Sequence, residues 1–244
     1  MVYFVGAGSG AADLITVRGM HMLQQADVII YAGSLVNPEL LEYARADCEI
    51  HNSAHLTLEE VLKLMQEAQA QGKMLVRLHT GEPSIYGAVR EQFDELEKRD
   101  IVYDVCPGVS SFCGAAAAIP AEYTPAEVSQ TLIITRGAGR TPVPEAESLR
   151  RLAAHQATMC IYLSVSMLDK VAAELIAGGY APETPVAVVQ RASWPDEKTV
   201  RGTLTTIAQQ VKDAGIDRQA MIVVSRCLDA DYELSRLYAP EFSH

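Results

Sequence analysis

Short apolar segments alternate with amphipathic segments along the first half of the chain. The apolar segments are rich in β-branched residues and end at turns, and their length suits buried strands. We therefore predict strands at residues 3–6, 28–31, 74–78 and 101–106. Such alternation of strand and helix patterns predicts parallel strands joined by crossover helices.

One of the intervening helices has clear signals at both ends. Thr57 and Glu60 form a capping box, which satisfies free N–H groups at a helix start. Apolar residues then recur at helical spacing, at Val61, Leu62, Met65 and Ala68. Gly72 is well placed to end this helix.

The second half of the chain predicts another α/β block. Strands are predicted at residues 131–135, 159–163, 186–189 and 221–225, and helices are predicted to start at Glu145, Met167 and Leu204. Residues 119–130 contain Pro120 and Pro125 and show little periodicity. We place the domain boundary there, which predicts one α/β domain at residues 1–119 and a second at 120–244.

The composition is that of a globular chain and disfavours several classes of function. Apolar residues make up 49% of it and charged residues 21%, and no apolar run is long enough for a membrane span. The apolar start predicts a strand and not a signal peptide. A net charge of −11 disfavours binding to nucleic acids or anionic membranes.

Five cysteines without a C-x-x-C motif indicate neither a disulfide framework nor a zinc site. Reduced thiols fit a cytoplasmic protein best. His51 and His55 have the spacing of a ligand pair, but no third ligand is evident, so we predict no metal.

The first strand leads into a turn rich in small residues. Gly6, Gly8 and Ala11 match the dinucleotide pattern G-x-G-x-x-[GA]. That pattern also requires an acid at the end of the second strand, to hold the ribose hydroxyls. No carboxylate follows residues 28–31, which argues against a nicotinamide oxidoreductase.

Two more small-residue turns follow strands of the same predicted sheet, at residues 78–87 and 107–111. The carboxyl ends of parallel strands share one edge of a sheet, where α/β proteins bind ligands. Glycines let the backbone approach a ligand, and Thr80, Ser110 and Ser111 supply hydroxyl groups. We predict a ligand site at this edge.

These motifs together carry a family resemblance. Gly-x-Gly-x-Gly before Asp-Leu-Ile-Thr, then Gly-Glu-Pro-x-x-Tyr-Gly and Pro-Gly-Val-Ser-Ser, resembles the tetrapyrrole methylases that use S-adenosylmethionine. Residues 31–36, 129–131, 135–136, 139–142 and 192–197 are similar to the branch that methylates C11 of precorrin-4 or cobalt-precorrin-4.

The resemblance implies a fold, a reaction and a set of site residues. It implies two α/β domains with a cofactor cleft between them, a homodimer, and methyl transfer in cobalamin biosynthesis that yields precorrin-5 or its cobalt form. S-adenosylhomocysteine would remain after the cofactor has donated its methyl group. The cofactor-binding residues that it implies are Gly8, Ser9, Thr80, Gly81, Glu82, Ile85, Ser110, Ser111, Leu163 and Ala192.

Two of these residues depart from the family pattern. The family usually has Pro where this chain has Ser9, and Asp where it has Glu82. Glu82 keeps the charge but changes its hydrogen-bonding reach. We expect activity to survive both changes.

An acceptor that carries acetate and propionate groups needs cationic partners, and arginine suits carboxylates best. We predict that Arg136, Arg140 and Arg191 bind these groups, with surface or interdomain salt bridges as the alternative. His79 would contact the substrate or orient a loop, and Trp194 would cover the macrocycle or pack between the domains. No side chain is predicted to act as a nucleophile or a base.

Two other readings remain open. The chain would be a tetrapyrrole methylase for another ring position, or a protein that binds a nucleotide-like ligand without chemistry. Ser9 and Glu82 are the only support for the second reading.

Overall fold

The computed structural model describes residues 1–229 of the 244, and these residues form two compact units. One unit consists of Met1–Gly114 and Ser193–Pro195, and the other of Ala115–Ala192 and the chain from Asp196. The last residues of the second predicted domain, 230–244, lie outside the described residues. The sequence analysis did not predict that the chain returns to the first unit at Ser193–Pro195.

The first unit is built on a five-stranded sheet. Its strands are β1 (Val2–Gly6), β2 (Val28–Tyr31), β3 (Glu49–Asn52), β4 (Leu75–His79) and β5 (Tyr103–Cys106), in the order β3-β2-β4-β1-β5. Every neighbouring pair is parallel, which confirms the prediction for this half of the chain. The edge strand β3 was not predicted, because its residues do not form an apolar run.

Three helices accompany this sheet: α1 (Val17–Gln25), α2 (Leu58–Ala70) and α3 (Arg90–Lys98). A fourth helix, α4 (Ser111–Ala118), begins in the first unit and ends in the second. The predicted capping box of α2 is present, and its four predicted apolar positions are buried. They pack with Val2, Phe4 and Leu75 in one core cluster. Gly72 follows α2 with a φ of 68°, a left-handed conformation that favours glycine.

The second unit has a mixed five-stranded sheet. Its strands are β6 (Leu132–Arg136), β7 (Thr158–Tyr162), β8 (Pro185–Gln190), β9 (Lys198–Thr203) and β10 (Ala220–Val224), in the order β6-β7-β10-β8-β9. Strands β6 and β7 are parallel, and β10 runs antiparallel to both β7 and β8. Strands β6, β7 and β8 therefore end at the same edge of the sheet.

The helices of the second unit are α5 (Leu149–Leu152), α6 (Leu168–Ala177) and α7 (Ile207–Asp213). They begin one to four residues after the predicted starts, and the largest offset is at α5, where a short 3-10 turn (Glu145–Glu147) comes first. Their apolar faces share one core with β7, β8 and β10. None of the helices between residues 1 and 229 is long and apolar enough to cross a membrane.

Candidate functional site

The three glycine turns of the first unit meet at one edge of its sheet. Strand β1 lies between β4 and β5, and all three run in parallel, so their carboxyl ends are adjacent. A Cβ atom on Gly6 would lie 2.5 Å from the Cα atom of Gly108, and one on Gly108 would lie 2.1 Å from the carbonyl oxygen of Gly81. No real Cβ atom is tolerated at such distances. The backbones are therefore in contact, and only glycine fits at Gly6 and Gly108.

Hydrogen bonds join the first two turns directly. The Gly81 N–H donates to the Gly8 carbonyl at 3.1 Å, and the Gly8 N–H donates to the Gly81 carbonyl at 3.3 Å. The Ala7 N–H donates to the His79 carbonyl at 2.7 Å. Gly8 and Gly81 both have left-handed backbones, with φ of 82° and 61°. The edge of the sheet is thus a surface of backbone atoms held in a fixed shape.

Glu82 connects the second turn to the third. Its carboxylate accepts the Gly108 N–H at 2.7 Å and the Ser84 N–H at 2.9 Å. Burial opposes the charge, but these hydrogen bonds outweigh it and hold the pKa of Glu82 below its usual range. The longer side chain that stands where the family usually has Asp therefore acts within the protein, as a charged brace between two turns.

Ser9, the other departure from the family pattern, also has a partner within the first unit. Its hydroxyl lies 3.3 Å from the hydroxyl of Ser193, and the Ser193 oxygen accepts the Ala11 N–H at 3.0 Å. Ser193 has a left-handed backbone with φ of 64°, a strained conformation for a serine. The segment Ser193–Pro195 thus supports the first glycine turn, and it also places the half-buried Trp194 in this unit.

The remaining predicted residues of the first unit lie on the same turns. Ser110 is buried, and its carbonyl accepts the N–H groups of Cys113 and Gly114 at the start of α4, whose first residue is Ser111. Thr80 is exposed beside Gly81, and Ile85 is half-buried. The structure therefore brings together all the first-unit residues for which the resemblance implied cofactor binding.

His79 and Arg77 lie inside the first unit. His79 is 4% exposed and stacks on Phe4, with ring centroids 5.7 Å apart. Its Nε2 atom has no hydrogen-bond partner within residues 1–229. Burial and the charge of Arg77 lower the pKa of His79 to about 3, and burial lowers that of Arg77 to about 10. This burial favours a role in orienting the loop after β4 over direct contact with a substrate.

Arg77 is connected to the loop after β4 through hydrogen bonds to Gln92. Its guanidinium donates to the Ile30 carbonyl at 3.2 Å and to Gln92 at 3.4 Å, and Gln92 donates to the Ala88 carbonyl at 3.0 Å. Ala88 is left-handed, with φ of 49°, and closes the loop before α3. The interior of the sheet thus holds the end of the Gly81 turn in place.

In the second unit, three predicted residues follow strands that end at a common edge. Leu163 follows β7 with φ of 53° and is 70% exposed, an unusual state for a leucine. Arg191 and the buried Ala192 follow β8. Arg191 forms an ion pair with Asp196, with Nε and Oδ1 2.7 Å apart, and also donates to Gln219. The predicted salt-bridge alternative is therefore present at Arg191.

The other two predicted arginines are at the end of β6. Arg136 donates to backbone carbonyls of the loop that follows it, whereas Arg140 is exposed in that loop. Among residues 1–229, Arg140 has neither a hydrogen bond nor an ion pair. Of the three predicted anchors, Arg140 has the most accessible charge.

The two histidines with ligand-like spacing do not form a cluster. His51 bonds to Glu49, with Nε2 and Oε1 2.8 Å apart. No group of three or more His, Cys, Asp or Glu side chains is placed to hold a metal ion within the described part of the chain.

A comparison with protein families decides between the possible assignments of this glycine-rich edge. The model of the tetrapyrrole (corrin/porphyrin) methylases matches residues 1–208. The chain is a tetrapyrrole methylase. The resemblance inferred from the three turns is thereby confirmed, and a nicotinamide oxidoreductase is excluded.

Several relatives of this tetrapyrrole methylase have names that specify a reaction. It is 57% identical to a cobalt-precorrin-4 C(11)-methyltransferase of Methanocaldococcus jannaschii, over the whole chain and 94% of the relative. A crystal structure of a cobalt-precorrin-4 methyltransferase matches it with a TM-score of 0.92 and 44% identity, over 94% of this chain and 96% of that one. Uroporphyrin-III C-methyltransferase of Thermus thermophilus in complex with S-adenosylhomocysteine matches with a TM-score of 0.77 and 25% identity, over 93% of each chain.

Sequence reasoning about the methylase missed three residues that shape the site. Ser193 supports the first glycine turn, Arg77 supports the second, and Ser164 contacts the loop that carries Arg140. Only Ser193 had a signal, since it lies in a segment similar to the C11 branch. The roles of the individual predicted site residues stay predictions.

The charged brace at Glu82 leads to a testable expectation for the methylase. In Glu82→Gln the single amide oxygen can accept only one of the two N–H groups, and a buried donor without its acceptor costs about 1–3 kcal/mol. We therefore expect the free energy of unfolding in urea at pH 7 to fall by about 1–2 kcal/mol.

Because the pKa of Glu82 is lowered, its stabilising effect is present above the usual pKa of glutamate and is lost as the pH falls through its own pKa. The difference between Glu82→Gln and the unmodified chain should therefore shrink in acid. The exposed Glu91 provides a control, since Glu91→Gln should change the unfolding free energy by less than about 0.5 kcal/mol. Equal effects of the two substitutions would contradict the brace.

Proposed function

We propose that this chain is an S-adenosylmethionine-dependent C-methyltransferase of cobalamin biosynthesis that methylates C11 of cobalt-precorrin-4. The observation that carries the proposal is the 57% identity, over the whole chain, to a protein named for that reaction. The structural match to a cobalt-precorrin-4 methyltransferase supports the same substrate. The segments at residues 31–36 and 192–197 pointed to the same branch of the family.

The glycine-rich edge of the first unit fits the cofactor. Close backbone contacts at Gly6, Gly8 and Gly108, where a Cβ atom would collide with neighbouring backbone, give this edge its fixed shape, and a Cβ atom on Gly81 would meet nothing closer than 3.7 Å. We propose that this edge, with the hydroxyls of Ser110 and its neighbours, binds S-adenosylmethionine, as the relative in complex with S-adenosylhomocysteine supports. The resemblance to the family also assigns Leu163 and Ala192 of the second unit to the cofactor.

The chemistry that we propose depends on positioning. The bound cofactor supplies a methyl group on a positively charged sulfur, which is already a good electrophile. Holding two reactants in line supplies roughly 7–11 kcal/mol of barrier lowering. The residues of this chain bind, align and exclude water, and none needs to act as nucleophile or base. The rigid turns held by Glu82 and Arg77 suit that task.

Arg140 is our leading candidate for binding a substrate carboxylate, because its charge is exposed and unpaired within the described residues. Arg191 would serve beside its ion pair with Asp196. Trp194 would offer an aromatic face to the macrocycle. Arg136 and His79 fit a supporting role better, since both are engaged or buried within the protein.

Two further properties belong to the proposal. A homodimer and a place in the cytoplasm are expected from the resemblance to the family. Reduced cysteines are consistent with the cytoplasm, and none of the five cysteines within the described residues forms a disulfide bond.

Titration with S-adenosylhomocysteine in a calorimeter is the first test of the proposal. We expect about one binding site per chain. In a separate assay with S-adenosylmethionine, we expect a methyl group to be transferred to cobalt-precorrin-4, which mass spectrometry of the product detects. Absence of binding at millimolar ligand would reject the cofactor site. Binding without transfer to cobalt-precorrin-4 or to other tetrapyrroles would support a binding protein instead.

The role of Arg140 predicts a selective effect on the substrate. In Arg140→Ala we expect the KM for cobalt-precorrin-4 to rise about tenfold, which is the loss of about 1.4 kcal/mol of binding. The Kd for S-adenosylhomocysteine should stay the same. Arg150 is equally exposed and lies in α5, so Arg150→Ala is a matched control that should change neither constant. An unchanged KM in Arg140→Ala would remove Arg140 from the substrate site.

A further inference from the structure

The loop that carries Arg140 is closed by the side chain of the residue that precedes it. We call residues 137–142, which follow β6, the Arg140 loop. The guanidinium of Arg136 donates through Nη1 to the carbonyls of Gly137 at 3.5 Å and Thr141 at 2.9 Å. Through Nη2 it donates to the Pro142 carbonyl at 2.8 Å. One planar cation thus joins the start of the loop to its end.

A buried hydroxyl holds the start of the same loop. Ser164 has no exposed surface, and its Oγ accepts the Gly137 N–H at 2.7 Å while it donates to the Tyr162 carbonyl at 2.7 Å. A Cβ atom on Gly137 would lie 3.0 Å from that Oγ atom, so a larger residue would force Ser164 to shift by a few tenths of an ångström. Because Ser164 directly follows Leu163, it ties the Arg140 loop to the carboxyl end of β7.

Geometry also separates the roles of the two arginines. Arg136 is half-buried and its bonds go to backbone oxygens, whereas Arg140 lies in an exposed part of the loop. Lysine would not replace Arg136, because an ammonium is a point charge and lacks the flat fork that reaches carbonyls on both sides of a loop.

We propose that Arg136 and Ser164 are positioning residues that preform the Arg140 loop, so that the cation of Arg140 is presented to a carboxylate of the substrate in a fixed place. This inference rests on the proposed function, which assigns Arg140 to the substrate. It changes the role of Arg136 from a direct anchor to a clamp that acts through Arg140. A preformed loop loses less conformational entropy when the substrate binds.

Limited trypsin digestion tests the clamp without any substrate. The bond between Arg140 and Thr141 is a trypsin site, and intact-mass analysis identifies the fragment that ends at Arg140. We expect Arg136→Ala and Ser164→Ala to be cut there about tenfold faster than the unmodified chain, because the loop opens more often. Arg136→Lys should also be cut faster, and Arg150→Ala should be cut at the original rate. Unchanged cleavage in all three loop variants would overturn the clamp.

A double-mutant cycle then tests whether Arg136 acts through Arg140. We expect Arg136→Ala to raise the KM for cobalt-precorrin-4, and we expect it to have no further effect in the Arg140→Ala background. Multiplying effects would show that Arg136 binds the substrate by itself and would overturn the inference. Circular dichroism and the Kd for S-adenosylhomocysteine confirm that each variant is folded, and Arg136→Lys replaces Arg136→Ala if the latter is not.

The two experiments separate the inference from the function on which it rests. If Arg140→Ala leaves the KM unchanged, the assignment of Arg140 to the substrate fails, and presentation of its cation fails with it. Faster cleavage would then still establish the clamp as a property of the loop.

Discussion

Replacing Gly108 by alanine is expected to destabilise the protein by about 3 kcal/mol, the upper range for a forced steric overlap in a packed region. The Cβ atom would lie 2.1 Å from the Gly81 carbonyl oxygen and 2.7 Å from the Gly6 Cα atom. Both neighbours are backbone atoms of other chain segments, so no side chain can rotate away. We expect the turns after β1, β4 and β5 to be forced apart and binding of S-adenosylhomocysteine to be lost.

Gly72 provides the matched control for this substitution. Its φ of 68° is left-handed, but a Cβ atom there would meet nothing within 4 Å. Gly72→Ala should therefore cost only the left-handed strain of about 1 kcal/mol and leave ligand binding intact. Urea unfolding and calorimetry of both variants provide the comparison. Similar losses in the two variants would show that contact between the backbones is not what requires glycine at position 108.

The second large effect concerns the pH dependence of stability. His79 has a pKa of about 3 in the folded chain, against 6.5 for an unperturbed histidine. Between these values the unfolded chain takes up a proton that the folded chain refuses, so stability is complete above pH 6.5 and decreases as the pH falls towards 3. The decrease is about 1.4 kcal/mol per pH unit, or about 2 kcal/mol at pH 5.

The variant His79→Gln cannot take up this proton. We therefore expect its unfolding free energy to fall by about 2 kcal/mol less than that of the unmodified chain between pH 7 and pH 5. The comparison uses urea titrations at the two pH values, and the exposed His155 gives the control variant His155→Gln, which should retain the original pH dependence. Parallel curves for the unmodified chain and His79→Gln would show that His79 becomes protonated in the folded chain.

The sequence predicted every interior strand of the two sheets, and also the edge strands β5 and β6. Strand β2 has the predicted bounds, because buried parallel strands are continuous apolar runs. The two strands that were missed, β3 and β9, lie at sheet edges, where Glu49 and Lys198 are exposed. An edge strand pairs through its backbone on one side only, so its sequence need not carry the apolar pattern.

The part of the site that depends on the parallel direction of the strands was predictable from the sequence. Three parallel strands must end at one edge, so the meeting of their glycine turns followed from the order of strands and motifs. The partner of a charged side chain does not follow in this way. Arg136 and Arg140 flank the same glycines, yet one bonds to carbonyls of its own loop and the other faces outward, a difference that only the folded loop determines.

The return of Ser193–Pro195 to the first unit affects how that unit can be expressed as a separate fragment. A fragment cut after Gly114 would contain all five strands of the first sheet but would lack the hydroxyl that accepts the Ala11 N–H. Such a fragment would be incomplete at the first glycine turn, next to the proposed cofactor site. A fragment in which a linker joins Ser193–Pro195 to the end of the amino-terminal half would restore the hydroxyl of Ser193.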